Sequence, residues 1–213
     1  MSFASNSEIT TDLLMQAAAE DAAARDQLFS RHHQRLKRMV RLRLNRRLQG
    51  RVDCGDILQE AYLEAAKRLP DYLETRPLPF YLWLRHIVGQ KLIDAHRHHL
   101  GAKMRDAAQE VALHRGSLPE ANSFSLAAQL LGQLTSPSQA AVKAETRIQV
   151  QDVLNGMSAG DREILALRHF EHLKNVEAAQ LLGIDESTAS TRYLRALKRL
   201  KDELKDIPGL FDK

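Results

Sequence analysis

The stretch from Asn175 to Lys205 constrains the fold most. NVEAAQLL at 175–182 is a short helix-forming run, and Gly183 follows as a left-handed stop. Ile184 comes next, then Asp185 as an N-cap, then a long helix from Glu186 to about Lys205. Just upstream, residues 161–170 carry Ile164, Leu165, Leu167 and Arg168 and read as a further helix. A short helix, a glycine turn and a second helix form the layout of a helix-turn-helix. Ala178 and Ala179 permit close helix packing, and Leu182 and Ile184 plug the corner.

The last helix has two faces. Ala189, Tyr193, Ala196, Leu197, Leu200 and Leu204 recur at helical spacing and form its buried side. Ser187, Thr188, Ser190, Thr191, Arg192 and Arg195 lie on the other side, near its start. In a helix-turn-helix the first turns of the second helix enter the major groove. Small hydroxyls approach base edges and phosphates there, and arginine pairs with guanine in bidentate fashion. The alternative is an ordinary helical hairpin. The glycine turn, the alanine pair and the basic, hydroxyl-rich face favour DNA binding.

The rest of the chain is also helical in pattern, so the expected fold class is all-α. Glycine and proline are scarce, and aromatic residues make up 5% of the 213 residues, which favours helix over strand. Regularity fades between Gly101 and Pro137. Two helical domains, 1–100 and 138–213, joined by a linker over 101–137, are expected. Within the linker Leu126, Leu130, Leu131 and Leu134 are spaced for a short helix that docks somewhere. The net charge of +4 is unevenly spread, with Arg31, Arg35, Lys37, Arg38, Arg41, Arg43, Arg46 and Arg47 close together. Such clusters fit either an anionic partner or a solvated helix face.

Two segments of the first domain are informative. In residues 53–69, Ile57, Leu58, Ala61, Tyr62, Ala65, Ala66 and Leu69 make an apolar stripe, with Asp53 as N-cap. Asp56, Gln59, Glu60 and Leu63 fall on another face. Those acids either form a docking patch or simply favour the helix dipole. In residues 79–99, Phe80, Trp83, Leu84, Ile87, Val88 and Ala95 line one face; Arg85, Gln90, Lys91, Asp94, Arg97 and His98 lie largely elsewhere. His96, His98 and His99 do not share one helical face, so no metal site is expected.

The residues then match a family. DCGDILQEAYLEAAKRL at 53–69 resembles the second conserved region of sigma-70-type factors, through Asp56, Gln59, Glu60 and Tyr62. FYLWLRHIVGQKLIDAHR at 80–97 resembles the segment that follows it. GMSAGDREILALRHFEHLKNVEAAQLLGIDESTASTRYLRALKRLK at 156–201 is similar to the fourth region. With only these two domains visible, the likeness is to the extracytoplasmic-function (ECF) group. It implies a sigma factor that directs promoter-specific transcription initiation. Asp56, Gln59, Glu60 and Leu63 would grip the β′ clamp helices of bacterial core RNA polymerase. Trp83, Arg85, Gln90, Lys91 and Arg97 would open and read the −10 element of promoter DNA. Ser187, Thr188, Ser190, Thr191, Arg192 and Arg195 would read the −35 element, and the linker would thread toward the polymerase active site. An anti-sigma factor is a further partner the resemblance implies. His86 to Gln90 and the pair Ala189 and Ser190 depart from the usual runs of the family, which points to unusual base preferences.

Other classes fit less well. A conventional helix-turn-helix regulator would need a sensor or dimerisation domain in residues 1–100, where no strand alternation is seen. No glycine-rich phosphate loop, nucleophile motif or evident pair of catalytic carboxylates suggests an enzyme, and no cofactor is expected. Aromatic stacking platforms for RNA are missing. Cys54 is the only cysteine, and no signal peptide or membrane span is evident, so a cytoplasmic location is expected.

Overall fold

Short capping residues set where several helices begin, and tertiary packing sets where some end. The computed structural model describes residues 3–18, 21–100, 118–134, 140–208 and 210. It divides into two units: Met1–Val40 with Asn45–Leu118, and Arg41–Leu44 with Pro119–Lys213. Each is all-helical among the described residues.

The first unit contains α1 (Phe3–Ala18), most of α2 (Ala22–Arg43), a 3₁₀ turn (Arg46–Leu48), α3 (Cys54–Thr75) and α4 (Phe80–Leu100). Asp21 accepts from the backbone N–H groups of Ala23 and Ala24 and starts α2. Asp53 accepts from Gly55 N–H and starts α3. The stripe expected on α3 faces inward: Ile57, Leu58, Ala61, Ala65 and Leu69 are buried, and Tyr62 and Ala66 are half-buried. The helix runs on beyond the 53–69 stripe, through Pro70 to Thr75. Proline removes one helical hydrogen bond there. Tyr72 holds the extra turn, since it is buried, packs on Trp83 at 4.5 Å and donates its hydroxyl to Leu78 O. Phe29 stacks on Tyr62 and Phe80 and ties α2 to both neighbours.

The second unit contains α5 (Ser123–Leu134), α6 (Ala140–Gly156), α7 (Ala159–Leu165) continuing as a π-helical turn (Ala166–Phe170), α8 (Asn175–Leu182) and α9 (Glu186–Lys205). The helix expected over 161–170 is therefore two pieces, the second wound more widely. Of the linker expected over 101–137, residues 101–117 and 135–137 lie outside the described residues. Residues 119–134 cluster with this unit, and α5 packs on α6 through buried Leu126, Ala127, Leu130 and Leu131. Asn122 caps α5 by accepting from Ser125 N–H, and its own N–H groups donate to Leu42 O and Leu44 O.

Arg43 is the largest fully buried side chain among the described residues and donates to both Glu163 and Glu171. Burial alone disfavours its charge, but the two carboxylates outweigh that and push its pKa up. Such a pair adds little net stability as a whole, yet removing one partner is costly.

Candidate nucleic-acid and partner interfaces

The helix-turn-helix is built by local chemistry. Lys174 and Glu177 start α8, with Lys174 N–H donating to the Glu177 carboxylate. Gly183 closes it at φ 64°, where a side chain would be strained, and Ile184 N–H donates back to Ala179 O. Asp185 then caps α9 by accepting from Thr188 N–H at 2.8 Å. Asn175 Nδ2 donates to Glu186 O at 2.7 Å and pins the start of α8 to the start of α9. On the inner side Arg168 donates to Leu173 O and lies 5.3 Å from the centre of the Tyr193 ring. The angle of α9 is thus fixed from both ends of the motif.

The residues assigned to this surface emerge together. Ser187, Thr188, Ser190, Thr191 and Arg195 are exposed, and Arg192 is half-buried against Gly160. Their inward neighbours Ala189, Ala196, Leu200 and Leu204 are buried, while Tyr193 and Leu197 are half-buried. Small hydroxyls followed by two arginines suit base edges first and phosphates next.

On α3, Asp56, Gln59, Glu60 and Leu63 are all exposed along one face, opposite the buried stripe. Leu63 is 61% exposed, a large apolar side chain beside an acid–amide–acid run. An apolar side chain at the end of an acidic run fits a basic protein surface with an apolar spot of its own.

The set expected on α4 is divided. Arg97 is exposed, Trp83, Gln90 and Lys91 are half-buried, and Arg85 is buried at 4% exposure. The physical reason is that α4 is covered on most sides: Tyr81, Leu82, Leu84, Ile87, Val88, Leu92 and Ile93 are buried too. Trp83 packs at a tilt against Tyr72 and Phe80. His96 is buried, and its Nε2 accepts from Asn45 N–H at 3.2 Å. Burial lowers the His96 pKa to about 4, which keeps the ring neutral.

Sequence reasoning missed two neighbours of this surface. Gln90 Nε2 lies 3.0 Å from His86 Nε2, and its Oε1 accepts from Arg68, which also pairs with Glu64. The spacing of four between Glu64 and Arg68, and between His86 and Gln90, was the available signal. Among the described residues no group of His, Cys, Asp and Glu could hold a metal ion. No helix among them is long and apolar enough to cross a membrane.

Comparison with known proteins adds identity to this geometry. Residues 28–100 match the family Sigma-70 region 2, and residues 147–200 match Sigma-70, region 4. The ECF RNA polymerase sigma factor SigD of Mycobacterium tuberculosis (strain ATCC 25618 / H37Rv) is 29% identical over 192 residues, covering 90% of this chain and 82% of that protein. The ECF RNA polymerase sigma factor SigW of Bacillus subtilis (strain 168) is 26% identical, over 76% of this chain and 81% of its own. The solved structure of CnrH in complex with the cytosolic domain of CnrY shares the fold, with a TM-score of 0.53 and 22% identity over 92% of this chain and 97% of that one.

Proposed function

This chain belongs to the sigma-70 family, as a sigma factor of the ECF group that directs promoter-specific transcription, and we propose how its surfaces divide that work. Asp56, Gln59, Glu60 and Leu63 on α3 hold the β′ clamp helices of core RNA polymerase. Trp83, Gln90, Lys91 and Arg97 on α4 open and read the −10 element, with Arg85 supporting that helix from beneath. Ser187, Thr188, Ser190, Thr191, Arg192 and Arg195 on α9 read the −35 element. The chain performs no catalytic step of its own and works in the bacterial cytoplasm, where polymerase and promoter DNA meet. An anti-sigma factor is a further partner. The likeness in fold to CnrH, solved with the cytosolic domain of CnrY, supports a protein partner of some kind.

One observation carries the division. Asp56, Gln59, Glu60 and Leu63 share an exposed face of α3 whose opposite face packs into the core through Ile57, Leu58, Ala61, Ala65 and Leu69. A face that the fold does not need is available for a partner. A conventional regulator with an N-terminal sensor is not favoured, because residues 28–100 match Sigma-70 region 2 where the sensor would be.

Replacing Asp56, Gln59 and Glu60 together by alanine tests the assignment. The triple variant is expected to unfold at the wild-type temperature yet fail to co-elute with core polymerase on gel filtration. Co-elution at wild-type affinity would move the polymerase contact elsewhere.

A further inference from the structure

In the first turn of α9 the protons of two hydroxyls are already committed. Ser187 Oγ donates to Asp185 Oδ1 at 2.6 Å, and Thr188 Oγ1 donates to Asp185 Oδ2 at 2.6 Å. Thr188 N–H donates to the same carboxylate. An ionised carboxylate only accepts hydrogen bonds, and a hydroxyl has a single proton to give. Both side chains are exposed and therefore present lone pairs outward, with no O–H left to donate. The Ser187 hydroxyl first, and then the Thr188 hydroxyl and N–H, hold the Asp185 carboxyl well below the usual carboxylate range. The acceptor state therefore persists across physiological pH.

The charge nearby points the same way. Glu186 is exposed next to Asp185, so the helix opens with two carboxylates. Phosphate oxygens are themselves anionic acceptors, and neither the Ser187 nor the Thr188 hydroxyl has a proton left for them. The cations that suit phosphate, Arg192 and Arg195, come a turn or more later. What remains for an outward lone pair in the major groove is an exocyclic amine, adenine N6 or cytosine N4.

We propose that Asp185 is a specificity-determining positioning residue: by holding the protons of Ser187 and Thr188, it makes the first turn of α9 an acceptor surface. That surface selects amino bases, adenine or cytosine, over keto bases, guanine or thymine, on the strand it faces. The inference rests on the reading that α9 contacts the −35 element.

The test is a promoter library carrying every base at each −35 position, transcribed by core polymerase with the full-length protein. With the wild-type chain, adenine and cytosine are expected to exceed guanine and thymine at one or more positions, by about tenfold. Asp185→Asn keeps an oxygen for Thr188 N–H, so the cap survives. Its new NH₂ group donates to a hydroxyl oxygen and turns that proton outward. Preference at those positions should move toward guanine and thymine, with the melting temperature and the other positions unchanged. Ser187→Ala with Thr188→Ala should flatten the preference there. An Asp185→Asn variant that scales all promoters alike, with every base preference intact, would overturn the proposal. If Arg192→Ala and Arg195→Ala still weaken −35 use in that case, only this inference falls. If they too change nothing, the assignment of α9 falls with it.

Discussion

The start of α9 and the middle of α4 were both expected to face DNA, and they are built in opposite ways. On α9, five of the six assigned side chains are exposed and Arg192 is half-buried. On α4, Arg85 is buried, Trp83 belongs to an aromatic cluster, and Gln90 is engaged by His86 and Arg68. The exposed surface at the start of α9 is made by caps within a few residues of sequence. The surface of α4 is made by whatever packs around it. A substitution on α9 should therefore change function and spare the fold, while one on α4 should disturb the fold first.

The sharpest contrast is at Arg85. Arg85→Ala removes a buried charged side chain that has interactions of its own, which should cost about 3 kcal/mol of unfolding free energy. Urea denaturation measures this. A variant with wild-type stability would return Arg85 to the DNA-facing set and erase the difference between the helices.

Acid should separate them next. Burial lowers the pKa of His32 to about 4, helped by Arg35 and Arg31, and burial alone does the same for His96 on α4. The unfolded chain takes up these protons near pH 6.5 and the folded chain only near pH 4. Stability is thus full above pH 6.5 and falls as pH drops toward 4, by about 3 kcal/mol per histidine. Asp185 on the α9 side has a lowered pKa and stays ionised over the same range. Chemical denaturation at pH 7 and pH 4.5 should show the loss, and His96→Gln should reduce it. A pH-independent transition would contradict the buried neutral histidines.

The smallest effect belongs to α9. Arg195→Ala should leave thermal stability unchanged, because the side chain is exposed. Promoter use should weaken by about 1–3 kcal/mol if a base contact is lost. Run-off transcription on matched and altered −35 boxes would measure it. A fall in stability with unchanged promoter use would reverse the comparison.

The same difference explains what could be read in the sequence. Asp185, Gly183, Asp53 and the stripe on α3 were legible because caps and amphipathic periods are local. The exposed face at Asp56, Gln59, Glu60 and Leu63 followed from the same period. Arg85 was not legible: α4 is apolar on most sides, so its pattern could not say which polar residue is covered. Arg43 looked like one more cation in a basic run, and only Glu163 and Glu171, more than a hundred residues away, explain its burial. The extra turn of α3 beyond Pro70 depends on Tyr72 meeting Trp83, a contact across helices.

Promoter direction itself is tested most directly by transcribing sheared genomic DNA with bacterial core polymerase, with and without this protein, and sequencing the 5′ ends. New starts that share two boxes at a fixed spacing are expected, and they should vanish with the Asp56, Gln59 and Glu60 triple variant. No new starts from a core enzyme that co-elutes with the protein and is active with its own sigma factor would contradict the function.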